Sequence, residues 1–546
     1  MSILDKASLI QIPSGYKSGK LYSIKPDNGD GDFTFSRSSS ATRVNSEGLI
    51  ETAQIVSTTE LVVNGDFATD SDWTKGTGWT ISGGKANFNG GSGFSIYASQ
   101  NYITGKTYKF TYDVLNYVSG GVRILFDGQL SQTISSNSVN NTFYHTYNGG
   151  NTNIFIQSVG TSQLSIDNVS VKEVIENDIP RLDYSDGSCP SLLLEGQSTN
   201  LTQGSNGLTT NWTNYRGTYT ANATMSPDGT VNAPLTVWDG SLDSIGFYFT
   251  NISFSGSTAY CFSVFLKYYN KDIITLGYTD RASPYLGGGV TFNIANGTVV
   301  TVNGDATQGI VEPYKDGWYR CTVVFTTTAS PSYNYIDIGA GGGLIAGQGF
   351  YVYGAQLEEG SYPTSYIKTT SATATRTADV CTRDGISSLI NDSEGVLFAE
   401  FSVFDIVSNI KAISLVKSSA PASSSIILYY FGNRIAFDIL NPSGTVSVIT
   451  NITNALQLNK VALKYKSGDI AIWFNGVEIA TRTNTISLSG LDELQFDYVS
   501  GNGFYGKTKQ LIVFDEALSD EELSDLTGQV NLSFNNLATF YGYTIL

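Results

Sequence analysis

The sequence predicts an all-β protein: antiparallel β-sandwiches in tandem behind an extended N-terminal arm. Composition is the first reason. The 546 residues include 57 Gly, 33 Tyr and 28 Phe while only 14% are charged, which is the make-up of turn-rich sheets rather than helices. Period-two alternation is the second, since Tyr108, Phe110, Tyr112 and Val114 would line one strand face with polar residues between them. The third is an internal repeat. Gly105-Lys106-Thr107-Tyr108-Lys109-Phe110-Thr111 is echoed by Ser257-Thr258-Ala259-Tyr260-Cys261-Phe262-Ser263. Each copy follows a Trp-Thr pair (Trp73-Thr74, Trp212-Thr213) and precedes a closing strand, Ser165–Val171 or Tyr351–Leu357. Diverged copies multiply weak contacts, which suits a displayed binding or structural array better than an enzyme.

Taken in order, residues 1–58 hold short strands at Ala7–Pro13 and Gly19–Pro26 and an extended stretch Phe33–Ile50. Their few apolar residues cannot make a core of their own, so an anchoring arm is expected. Residues 59–175 form the first module, opening on Asn64-Gly65-Asp66-Phe67, with turns at Asp127-Gly128 and Gly149-Gly150. A connector, 176–199, carries Pro180 and Pro190, which argue against a central strand, and the apolar Leu192-Leu193-Leu194. The second module occupies 200–369. The last, 370–546, begins with a second arm in which Ala374-Thr375-Arg376 matches Ala41-Thr42-Arg43. It has strands at Gly395–Phe401, Lys460–Tyr465 and Ile470–Phe474, the last turned by Asn475-Gly476. One helix is expected at Ser519–Leu526: Ser519 can cap it, Glu522 stands at capping-box spacing, acids fill its first turn and Gly528 ends it.

The formal net charge of −17 makes a nucleic-acid backbone an unsuitable partner, because phosphate binding needs clustered Lys and Arg. Cys189, Cys261, Cys321 and Cys381 lie far apart, signalling neither a zinc site nor a disulfide framework; unpaired thiols suit a reducing cytoplasm. Met1–Lys6 lacks the pattern of an export signal and no apolar run approaches a membrane span, so neither export nor membrane insertion is expected. A modular β-protein fit for a surface, made in a bacterial cytoplasm without an export signal, matches a virion component released by lysis.

Family resemblances rest on particular residues. Asn64-Gly65-Asp66-Phe67 with Trp73, closing on Ile166-Asp167-Asn168-Val169-Ser170-Val171, resembles carbohydrate-binding-module sandwiches of the xylanase-associated type. The second module has Ser226-Pro227-Asp228-Gly229-Thr230, Gly317-Trp318-Tyr319-Arg320-Cys321 and Gly354-Ala355-Gln356-Leu357-Glu358-Glu359-Gly360. It resembles a jelly-roll sandwich of tailed-bacteriophage structural proteins. Trp473-Phe474-Asn475-Gly476-Val477 and Leu518-Ser519-Asp520-Glu521-Glu522 are similar to concanavalin-like or laminin-G-like lectin domains. The opening and the connector resemble the arms of phage tail-fibre, head-fibre or capsid-associated proteins. Together these resemblances imply a fibre or capsid-decorating protein of the virion, a homo-oligomer held by other virion proteins, whose modules bind host-surface glycans. The alternatives are an architectural cement without ligand and a glycan-degrading enzyme of the tail.

Sugar binding by such sandwiches uses aromatic rings that stack on the apolar side of a pyranose, and Trp79, Tyr97 and Trp238 stand in polar or Gly-rich surroundings that suit this. Trp73, Trp212 and Trp318 are expected in cores. In the carbohydrate-binding families an aspartate of the closing strand joins a second carboxylate in a structural calcium site. Asp167 matches the first, while Ala68 stands where the second is usual, and no other cofactor is implied. Asp27-Asn28-Gly29-Asp30-Gly31-Asp32 fails the EF-hand spacing and reads as a solvated turn. Catalysis is not expected: His145 has no nucleophile motif beside it, and Glu358-Glu359 and Glu521-Glu522 are adjacent pairs rather than acids facing across a cleft.

Overall fold

The computed structural model describes residues 2–528 apart from 132, 177–178, 210, 241–243, 282–286, 333, 342–343, 407–409, 453 and 499–502. The sheets are built from antiparallel pairings, giving the all-β sandwich architecture the sequence predicts. The chain divides into two compact units: Met1–Ala53, Asp178–Ser198 and Arg376–Leu546 form one, and Gln54–Asn177 and Thr199–Thr375 the other.

The first unit is a sandwich assembled from three separated segments. Ala7–Gln11 pairs with Gly506–Phe514, with Ile10 opposite Ile512, and Phe33–Ser36 pairs with Val380–Asp384, with Phe35 opposite Cys381. Leu9, Leu21, Phe33 and Phe35 are buried in one core with Leu192, Leu194, Leu397, Leu463 and Leu511. Residues 1–53 are therefore not an arm standing apart from a core. They are too poor in apolar residues to fold alone because they supply only part of a core completed by strands some 500 residues away.

The connector also departs from expectation. Arg181–Asp183 and Ser191–Leu194 pair as a hairpin, and Ser191–Leu194 pairs on its other side with Gly506–Phe514. Pro190 sits just before that strand, where a missing N–H costs the ladder nothing.

Five buried charges tie the three segments together. Asp379 accepts from Arg37 Nη1 at 2.9 Å and from Arg181, and its other contact is the backbone N–H of Glu195 at 2.8 Å. Glu195 in turn takes Arg181 Nη1 and Arg376 Nη1, each at 2.5 Å. All five side chains are at most 2% exposed. Strands Ile470–Phe474 and Val477–Arg482 of this unit are joined at Asn475-Gly476, both at positive φ as a type I′ hairpin requires. Its helix, Asp520–Thr527, has the expected capping box between Ser519 and Glu522.

The second unit contains the two related modules. In the first, Thr107–Phe126 and Asn153–Glu176 are long enough to run through both sheets, with register shifts around Ser119 and Gly121. Gly120 permits the crossing: at φ 72° it has no room for a Cβ, which would meet Ser162 Oγ at 2.2 Å. In the second module the same path is cut into separate strands, Ala259–Tyr268 with Ile273–Thr279 and Tyr335–Gly341 with Gly349–Glu359. Trp73, Trp212 and Trp318 are buried as expected, at 6%, 7% and 1%.

Candidate functional site

The repeat extends to strand pairing. In the first module Tyr97 lies opposite Thr74 on one side and Phe155 on the other, Phe155 opposite Leu125, and Leu125 opposite Leu130. In the second, Tyr248 lies between Thr213 and Asp337, Asp337 opposite Gly277, and Gly277 opposite Gly289. Thr74 and Thr213 each follow the repeated Trp, so the two rows correspond position by position. Register partners share a sheet face. Both rows point away from the core, because their neighbours Ile96, Ile124 and Ile156, or Phe247, Leu276 and Ile338, are fully buried.

In the first module this outer row is an apolar strip. The rings of Tyr97 and Phe155 lie 5.1 Å apart, Leu125 continues them and Leu130 is 47% exposed. One pleat along, Arg123 lies opposite Gln157, and Gln157 Oε1 accepts from Arg123 Nε at 3.1 Å and Nη2 at 2.9 Å.

The same row in the second module is hollowed. A Cβ on Gly277 would come within 2.4 Å of Asp337 Oδ1, and one on Gly339 within 2.6 Å of Tyr215 Oη. Glycines in strand interiors thus let an acid and a tyrosine lie flat across the sheet. Burial pushes the Asp337 carboxyl up to about 6. Burial, and next the charge of Asp337, push the Tyr215 hydroxyl up, so it remains a proton donor at neutral pH. Among the described residues neither group has a hydrogen-bond partner. Tyr248, 36% exposed, stands beside them with its ring 6.0 Å from that of Tyr215. A donor, an acceptor and an open ring on one surface are what a sugar's hydroxyls and apolar face require.

The residues expected from sequence fare unequally. Tyr97 is half-buried on the outer row. Trp79 is a correction: it is 4% exposed, packs on Phe88 at 4.8 Å and donates Nε1–H to the Phe94 carbonyl at 3.3 Å. Trp238 is half-buried against the second module's core and belongs to the other sheet, opposite Gly217. Asp167 lies opposite Asp113, and Asn168 Nδ2 donates to Asp113 Oδ2 at 2.8 Å. Among the described residues no group of three or more His, Cys, Asp or Glu side chains could hold a metal.

The other groups weighed from sequence are engaged structurally. His145 Nε2 lies 3.2 Å from Asp127 Oδ2, which also accepts the Asn148 N–H; that bond is the main reason the Asp127 carboxyl lies below its usual range. Glu358 is buried and accepts from Gln356 and Thr364, whereas Glu359 takes the Tyr260 hydroxyl. A shallow recess of about 380 Å³ on the first module's other sheet is lined by Asn87, Asn116 and Ser165. Their side chains bond one another, Ser165 Oγ to Asn87 Oδ1 at 2.7 Å and Asn116 Nδ2 to Ser165 Oγ at 3.1 Å.

Tyr215, Tyr248 and Asp337 were not legible as site residues from sequence. The available signal was glycine inside strands, at Gly277, Gly287-Gly288-Gly289 and Gly339, where close approach of another group is the usual cause.

No protein-family model matches the chain, and no curated protein does. Among solved structures it is similar to the carbohydrate-binding module CBM40 of the Ruminococcus gnavus IT-sialidase bound to α2,3-sialyllactose. The identity is 17% over 26% of this chain and 86% of that one, with a TM-score of 0.24. It is similar also to the CBM22-1-CBM22-2 tandem of Paenibacillus barcinonensis Xyn10C, at 10% identity over 56% and 98% of the two chains, TM-score 0.23. Domains LG4-5 of the mouse laminin α1 chain align at 10% identity over 59% and 94%, TM-score 0.20.

Proposed function

We propose that this is a glycan-binding attachment protein that acts without chemistry, displayed on a bacteriophage particle as a fibre or capsid decoration and held there as a homo-oligomer by other virion proteins. One observation carries the binding role: two diverged modules keep a solvent-facing tyrosine, Tyr97 and Tyr248, at the same register position of the same sheet face. A core requirement does not account for an outward ring, whereas stacking on a sugar does. Weak sites repeated in tandem and again by oligomerisation gain by avidity. The virion setting rests on the resemblance of the second module, through Gly317-Trp318-Tyr319-Arg320-Cys321 and Gly354-Ala355-Gln356-Leu357-Glu358-Glu359-Gly360, to a sandwich of tailed-bacteriophage structural proteins. The alternative is a cement whose modules bind no ligand.

The test is retention of the full-length protein on host cells and polysaccharides. Replacing Tyr97 or Tyr248 by Ala is expected to weaken binding by on the order of 1–3 kcal/mol, as for an interface aromatic, while the melting profile stays in place. Full retention by the double variant would take the binding away from these two rings, and failure of the wild type to bind any glycan or cell would remove the attachment role and leave the cement reading standing.

A further inference from the structure

Building on the glycan-binding reading, we propose that the two equivalent faces divide an acidic heteropolysaccharide by charge: the first module takes sugars that carry a carboxylate and the second takes uncharged ones. Arg123 supplies the first half. Gln157 Oε1 accepts both its Nε–H and one Nη2–H, which fixes the plane of the guanidinium on the same face as the Tyr97–Phe155 strip. No carboxylate among the described residues forms an ion pair with it, and its Nη1 has no acceptor among them. An oriented guanidinium without a counter-ion, beside a stacking surface, matches a ring-borne carboxylate, which accepts the planar fork in a way that a hydroxyl cannot.

The second module inverts this at matched positions. Where Arg123 stands in the first, Thr275 stands here, its hydroxyl 3.0 Å from that of Thr291. Where Phe155 stands, Asp337 places a carboxylate. Arg216, just past the end of the neighbouring strand, stacks over Tyr215 and donates to Ser244 Oγ, so it is engaged. A sugar carboxylate in this hollow would meet Asp337 with like charge in a poorly hydrated place, whereas sugar hydroxyls can donate to Asp337 and accept from Tyr215. The whole-chain charge of −17 gives a polyanion no long-range attraction, so acceptance of acidic sugars has to come from a local contact such as Arg123.

The experiment measures binding of the full-length protein to a panel of uronic-acid and sialic-acid polysaccharides, each paired with its carboxyl-reduced form, so that the members of a pair differ only in carrying a carboxylate or a hydroxymethyl group. Wild-type protein is expected to bind both members of at least one pair. Arg123→Met keeps the side-chain stem and removes the fork; it should weaken binding of the acidic member about tenfold or more, as loss of a charged hydrogen bond implies, and leave the reduced member unchanged. Arg123→Lys, which keeps the charge but not the fork, should fall between. Asp337→Asn should raise binding of the acidic member. If both Arg123 variants lower the two members equally, or neither, and Asp337→Asn shifts no preference, the division by charge is overturned while glycan binding stands. If the wild type binds neither member of any pair, the glycan-binding reading falls and this proposal falls with it.

Discussion

The first and second modules carry one row of positions on equivalent strands, and the two faces of those strands have diverged to different degrees. Inward, Ile96, Ile156 and Ile124 correspond to Phe247, Ile338 and Leu276, all fully buried. Outward, only the tyrosine is kept: Phe155, Leu125 and Leu130 correspond to Asp337, Gly277 and Gly289. Core packing tolerates exchange among apolar side chains of similar bulk and little else. The outer face has no such constraint, so its contents record what it meets in solution. Under the proposed binding role, a module with an unbroken apolar strip and one with a glycine-floored hollow holding an acid would take different ligands, although the scaffold is one.

That comparison holds only if both modules fold independently of the three-segment unit, and the largest expected effect tests this. Asp379→Ala removes the acid that two buried arginines and a backbone N–H share. Arg37 then loses the carboxylate it faces, and Arg181 and Arg376 are left to share Glu195, which should destabilise the three-segment unit by about 3–5 kcal/mol. In calorimetry one transition should move to lower temperature while a second, from the modules, stays. A single transition that moves as a whole would show that the modules depend on the frame, and their faces could not then be compared as autonomous surfaces.

Next in size is a contrast within the first module. Trp79→Ala deletes a buried ring and should cost about 3–5 kcal/mol. Tyr97→Ala removes a half-buried cross-strand partner of Phe155 and should cost about 1 kcal/mol or less. Chemical denaturation of the two variants, with glycan binding measured in parallel, should therefore separate stability from binding. Equal destabilisation by both would assign Tyr97 to the core and end its equivalence with Tyr248 as a ligand contact.

The acid that sets the second module apart gives a pH signature. Its folded-state pKa, about 6, lies above the ordinary aspartate value, so the folded module holds this proton more tightly than the unfolded chain. The contribution of Asp337 to stability is fully present below its unfolded pKa and is lost as pH rises through about 6. Asp337→Asn should therefore gain on the wild type by on the order of 1–2 kcal/mol between about pH 4.5 and about pH 7.5. Urea midpoints of both proteins at the two pH values measure the difference. A constant gap between them would show Asp337 to be well hydrated and the hollow to be open.

How much of this was legible in sequence depended on how local each signal was. The helix at Asp520–Thr527 and the turn at Asn475-Gly476 are specified by neighbouring residues, and both formed as expected. The repeat is visible because each of its marks is a short run of consecutive residues. The discontinuous frame was not, since the partner of Ile10 is Ile512 and nothing near either residue announces the other. Pro190 misled for a related reason: a proline bars a ladder position, and only the register shows that the strand begins one residue later. The polar, Gly-rich surroundings of Trp79 suggest an exposed ring, but those glycines belong to the turns that bring the ring inside. Tyr248 and Asp337 become a site only when strand order places them opposite one another.

The smallest effect expected concerns Asp167. In the first module it faces Asp113 across a strand pair, and like charges directly opposite are unfavourable. A bound cation would relieve that repulsion, and Asn168, already linked to Asp113, stands beside both. Only two carboxylates converge here, fewer than tight calcium sites employ, so binding should be weak. Stabilisation by a ligand follows its concentration relative to its dissociation constant, and at equal values, with the site half occupied, amounts to only about 0.4 kcal/mol. Calcium at millimolar levels is thus expected to raise the melting temperature of the first module by a degree or two, and Asp167→Asn to abolish the rise while leaving the second module untouched. The second module has Gln356 in its closing strand near the corresponding place and no matching pair of acids, so it serves as the internal control. A calcium response that persists in Asp167→Asn, or appears equally in both modules, would move the ion away from Asp167.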